Sequence, residues 1–100
     1  MRLEPEEIVA IKAAALRVFG DGVKVCLYGS RADDSKRGGD IDLLIETPQA
    51  TDDKYADENK FRQDLEDMIG ERRVDVLVRA ANDPLTTIQD IALSTGVRIL

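Results

Sequence analysis

Val23-Lys24-Val25-Cys26-Leu27-Tyr28-Gly29-Ser30-Arg31, a polar connector, and then Asp40-Ile41-Asp42-Leu43-Leu44-Ile45-Glu46 form the stretch whose reading decides the fold. It reads as two strands joined by a loop rich in glycine and charge. The first strand alternates and then becomes wholly apolar up to Tyr28, as an interior strand does. In the second, Asp40 to Glu46, residues Ile41, Leu43 and Ile45 share one face, and Asp40 and Asp42 share the other. The connector is short for a parallel crossover, so the two strands are expected to be antiparallel neighbours.

Downstream, Thr47 to Thr51 break the pattern. A helix capped near Asp52 or Asp53 should follow, with Phe61, Leu65, Met68 and Ile69 as its buried stripe and Gly70 as its stop. Its first half, through Asn59, is polar enough to read as a mobile or partner-facing surface. Arg73 to Val78 is the third strand, and the intervening helix permits a right-handed parallel crossover from the second. Asn82-Asp83-Pro84 should cap a last helix with Leu85, Ile88, Ile91 and Ala92 inward, ended by Gly96. Residues 97–100 read as a short edge strand. Upstream, Pro5 suits a first helical position, and Glu6 and Glu7 suit the positive end of a helix dipole. Ile8, Ile11, Ala15, Val18 and Phe19 then repeat at helical spacing up to Gly20. The expected fold is α/β in the α+β sense: a small mixed β-sheet with helices packed on it, as one domain over residues 1–100.

Composition narrows the function. Apolar residues make up 43% and charged residues 34%, which describes a globular protein with a modest core. A net charge of −6 argues against gripping a nucleic acid backbone, which takes a Lys/Arg surplus, and suits a basic protein partner. There is no histidine, which removes histidine acid–base chemistry, serine and cysteine triads and most zinc sites. The single Cys26 lies in an apolar run and reads as a small buried hydrophobe. With no signal-like N-terminus and no run long enough to span a membrane, the cytoplasm is the expected location.

The strand directions decide which polar residues meet. Antiparallel strands one and two bring Gly29-Ser30 beside Asp40 and Asp42, and parallel strands two and three bring Asp75 to the same end. Each of these residues alone has a plainer reading, as a turn or a solvated strand face. Together they gather carboxylates that repel unless a cation joins them. Mg²⁺ fits, with Mn²⁺ as a substitute, because it takes one or two carboxylates and completes its shell with water and phosphate oxygens. Asp40, Asp42 and Asp75 are therefore the candidate metal-binding and catalytic residues, Asp75 allowing a second Mg²⁺. Gly29 and Ser30 are candidates for seating a nucleoside triphosphate, with Arg31 and Arg37 as the nearest cations for its oxygens.

Gly29-Ser30, nine residues, Asp40-Ile41-Asp42 in an apolar strand and a later Val74-Asp75-Val76-Leu77-Val78 together resemble the signature of the polymerase-β type nucleotidyltransferases. The likeness spans nearly the whole chain and is closest to the minimal members, which lack a second domain. Gly29-Ser30-Arg31-Ala32 and Arg37-Gly38-Gly39-Asp40-Ile41-Asp42-Leu43 are similar to the MntA-type antitoxins. That resemblance implies a palm-like fold, ATP as substrate, and AMP transfer to a tyrosine of a HEPN-domain ribonuclease toxin. It also implies that the partner supplies the acceptor site. Two other readings stand beside it: a non-catalytic antitoxin that blocks its partner by binding, and a small-molecule nucleotidyltransferase, which the short chain disfavours.

Overall fold

The computed structural model describes residues 1–33 and 39–100. Helix α1 runs Pro5–Phe19, strand β1 Lys24–Tyr28 and strand β2 Ile41–Thr47. Helix α2 spans Lys54–Ile69, strand β3 Val74–Ala80, helix α3 Thr87–Thr95 and strand β4 Val97–Arg98. A single 3₁₀ turn, Gly29–Arg31, follows β1 directly and opens the connector to β2. The four strands form one sheet in the order β3-β2-β1-β4. β1 pairs antiparallel with β2 and β4, and β2 pairs parallel with β3, so the expected mixed sheet and its directions are present. Among the described residues no helix is long and apolar enough to cross a membrane.

Alternation gives the sheet two unlike faces. Val25, Leu27, Ile41, Leu43, Ile45, Val76 and Val78 point to one face and are buried against Ala10, Ile11, Ala14 and Ala15 of α1 and Phe61 and Leu65 of α2. The Phe19 and Phe61 rings meet there at 6.3 Å between centroids. The opposite face carries the other residues of each strand in three cross-strand rows. Lys24, Glu46 and Arg79 form one row; Cys26, Leu44 and Leu77 the middle one; Tyr28, Asp42 and Asp75 the last. The middle row holds the small second core, in which Cys26, Leu44 and Ala92 of α3 are buried. In the first row Arg79 pairs with Glu46 and donates to the carbonyls of Ala81 and Asp83, pinning the chain beyond β3.

Three details of the sequence reading are corrected. α3 starts at Thr87 rather than just after Asn82-Asp83-Pro84, because Thr86 and Gln89 cap it reciprocally, with bonds of 3.0 and 3.2 Å. Of its expected buried stripe only Ala92 is buried; Leu85, Ile88 and Ile91 stand 44%, 54% and 55% exposed. A nine-residue helix resting on the Cys26–Leu44 patch has room to bury little more than one small side chain. Met68, expected inward on α2, is likewise exposed. Cys26 is buried and free, as expected, and burial pushes its thiol pKa up.

Candidate active site

The site begins where the antiparallel and parallel pairings share β2. Asp42 lies opposite Tyr28 on one side and opposite Asp75 on the other, so these residues form one row at the end of the sheet. Asp42 is half-buried and Asp75 exposed. Asp40 stands just ahead of β2, half-buried, so the expected strand starts one residue later than Asp40.

The charges of Asp75 and Asp40 both reach Asp42. Burial first, then the negative charges of Asp75 and Asp40, raise the pKa of Asp42 above the ordinary carboxylate value. A hydrogen bond with the Asp75 side chain works in the same direction. The phenol of Tyr28 is raised too, by burial first and then by Asp42 and Asp75. Tyr28 was not singled out from sequence. Its signal was its place as the last residue of an interior strand, directly before the Gly-Ser pair.

Gly29 adopts φ +73°, a conformation that side chains rarely take. A Cβ placed there would collide with the Asp42 carboxylate and come within 3.2 Å of its Cγ. Glycine at 29 thus brings the turn directly against Asp42. Ser30 follows in the 3₁₀ turn, half-buried, with the Ala32 amide donating to Gly29 O at 3.2 Å.

Arg31 ends the turn, and its guanidinium is engaged by the protein. Its Nη1 donates to Glu7 at 3.3 and 3.4 Å and to the Arg2 carbonyl at 3.3 Å, and its Nη2 donates to the Gly39 carbonyl at 3.0 Å. Arg37, the other candidate cation, lies outside the described residues. Glu7, read from sequence as a helix-dipole partner, proves to be buried. The signal was present: Glu7 precedes Ile11 by one turn and so belongs to the buried stripe of α1.

Among the described residues no group of three or more Asp, Glu, His or Cys side chains is drawn close enough to hold an ion by itself. The donor set nonetheless fits Mg²⁺. The ion needs only oxygen ligands and accepts one or two from protein, leaving the rest to water and phosphate. Asp42, burdened by two neighbouring negative charges, is the kind of carboxylate that a cation relieves.

The sequence model of the nucleotidyltransferase domain matches residues 10–96. The chain belongs to that family. Comparison with curated proteins finds no match. In this nucleotidyltransferase the matched span runs from α1 to Gly96 and contains Gly29, Ser30, Asp40, Asp42 and Asp75. The mixed four-stranded sheet with its three helices is consistent with the family's fold, and nucleotidyl transfer is the protein's class of reaction. Nucleotidyltransferase domains usually use divalent metals, which agrees with the chemistry of the carboxylate row.

Proposed function

We propose that this nucleotidyltransferase moves AMP from ATP to a tyrosine hydroxyl of a partner protein, a HEPN-domain ribonuclease toxin, and so acts as its antitoxin. The observation that carries the catalytic half is the register of Asp42 with Asp75, beside Asp40 and against Gly29. The partner half is supported by the likeness of Gly29-Ser30-Arg31-Ala32 and of residues 37–43 to the MntA-type antitoxins. The exposure of Asp75 agrees with an acceptor that arrives on another chain.

Asp40 and Asp42 are the residues suited to hold Mg²⁺, and Asp75 completes a second metal position. When bound, the metal neutralises triphosphate charge and makes the acceptor hydroxyl more acidic. Ser30 offers its hydroxyl and backbone N–H to the phosphates. A tyrosine hydroxyl, with a pKa of about 10, is a poor nucleophile at neutral pH until its proton is removed. Asp75 faces solvent, where it can take that proton. The tyrosine oxygen then bonds to the α-phosphorus, the bond from that phosphorus to the bridging oxygen breaks, and diphosphate leaves. Asp42 holds its position throughout, because β2 is flanked by strands on both sides, and Asp40 directly precedes that strand.

Co-expression with a HEPN-domain ribonuclease, followed by intact mass measurement of both proteins, tests this reading. The partner should gain one or more AMP units and lose its toxicity. Neutralisation with no gain in mass would instead establish an antitoxin that acts by binding alone.

A further inference from the structure

Glu7 is 3% exposed and sits on the first turn of α1. A buried carboxylate is costly unless it is paired and hydrogen-bonded. Glu7 meets that condition by joining three parts of the chain. It accepts from its own helix through the Glu4 amide at 2.9 Å and from Arg31 Nη1 at 3.3 Å. Arg72 Nε, in the loop leading into β3, lies 3.7 Å away. Arg31 extends this link on its other side. Nη2 holds the carbonyl of Gly39, the residue before Asp40, while its backbone carbonyl accepts from the Arg2 amide at 2.8 Å. One guanidinium therefore ties the end of the Gly29–Arg31 turn to the residue that leads into Asp40. The carboxylate that orients it is anchored in the core layer.

We infer that Glu7 and Arg31 are a positioning pair: Glu7 aims the Arg31 fork so that the Ser30 turn and Asp40 keep a fixed separation, and neither residue touches the nucleotide. The inference rests on the proposed nucleotide site and assigns Arg31 differently from the phosphate contact expected from sequence. The bonding pattern is the reason. Both Nη atoms already have protein partners, although Nε is buried without one; the Arg31 side chain is 17% exposed, and its charge is matched by a carboxylate 3.3 Å away. A planar fork can hold two directions at once, which a lysine ammonium cannot reproduce. Small displacements of groups that orient a substrate cost far more than their contact energy, so the pair is expected to govern nucleotide affinity.

The test is a double-mutant cycle on the full chain: wild type, Glu7→Gln, Arg31→Ala and the double variant. Arg31→Lys is added, because it keeps a counter-charge for Glu7 and so preserves the fold. MgATP affinity is measured by calorimetry, and amide hydrogen exchange is followed without nucleotide. Each single variant should weaken MgATP binding roughly tenfold or more. The double variant should be no weaker than the worse single, since both remove the same constraint. Arg31→Lys should weaken binding although its charge is kept. Exchange should quicken at residues 29–32 while the amides of α2 keep their protection. Unchanged or tighter binding in Glu7→Gln, alongside weaker binding in Arg31→Ala, would make Arg31 a direct phosphate contact and overturn the inference. Exchange quickened throughout the chain with MgATP affinity intact would reduce the pair to general stability and overturn it as well. If wild type itself binds no MgATP, the nucleotide site is wrong. The exchange data then decide the pairing alone: quickening confined to 29–32 upholds it, and no change there ends it.

Discussion

Asp42 and Asp75 stand directly opposite each other on parallel strands, on the sheet face that α1 and α2 leave free. Like charges placed directly opposite on a sheet are destabilising. Burial, Asp75 and Asp40 together raise the Asp42 pKa, so the folded protein holds a proton there more tightly than the unfolded chain does. The associated stability is fully present below the unfolded carboxylate pKa of about 3.9 and is lost as pH rises through the higher folded value. Asp42→Asn should therefore melt higher than wild type at neutral pH without metal. The difference should shrink as the pH is lowered towards 4. Thermal melts across that range check it, and a lower melting temperature for the variant at pH 7 contradicts the repulsion.

The same repulsion predicts a role for metal. Wild-type protein should bind ATP only weakly without Mg²⁺ or Mn²⁺, and Asp40→Asn or Asp42→Asn should remove the dependence on metal while leaving the fold intact. Calorimetry with and without metal decides the matter. Equal ATP affinity in both conditions would rule out the metal-assisted mechanism.

Asp75→Asn is isosteric and exposed, so folding and partner binding should persist. Nucleotide transfer should fall by roughly 10²-fold or more, the usual scale for losing a positioned base. The mass of the partner co-expressed with each form reads this directly. Equal modification by both forms would take Asp75 out of the chemistry.

Gly29→Ala places a side chain at φ +73° and against the Asp42 carboxylate. The backbone strain alone should cost about 1–2 kcal/mol, read from urea denaturation. Because Asn has the same shape as Asp, removing the Asp42 charge should rescue little of that loss. Full recovery in the Gly29→Ala, Asp42→Asn pair would mean that charge rather than space governs the contact.

The second core gives a contrast between neighbours. Leu44 is buried in the middle row, and Leu44→Ala should cost about 2–5 kcal/mol. Ile91, on the helix above it, is 55% exposed, and Ile91→Ser should stay within about 0.5 kcal/mol of wild type. Chemical denaturation of both variants tests whether α3 is anchored chiefly through Ala92.

Much of this arrangement was legible in the chain itself. Period-two patterning placed Ile41, Leu43 and Ile45 on one face, the buried one, and the spacing between strands chose antiparallel for β1–β2 and parallel for β2–β3. Those choices alone brought Gly29, Ser30, Asp42 and Asp75 to one end, because directions and register follow from connection length and alternation. The sequence could not say how far each apolar stripe would find something to cover it. Ile88 and Ile91 repeat as buried residues do, yet burial depends on the area that the opposing face offers, and the Cys26–Leu44 patch is small. Nor could it say which charges would meet. Glu7 and Arg31 are 24 positions apart, and their ion pair exists because the α1 layer delivers a carboxylate to the sheet end where the Gly29–Arg31 turn emerges. Local chemistry determined the elements and the candidate row. Long-range packing decided which of its neighbours bind, which position and which stay exposed, since such contacts depend on where whole elements sit rather than on the residues beside them.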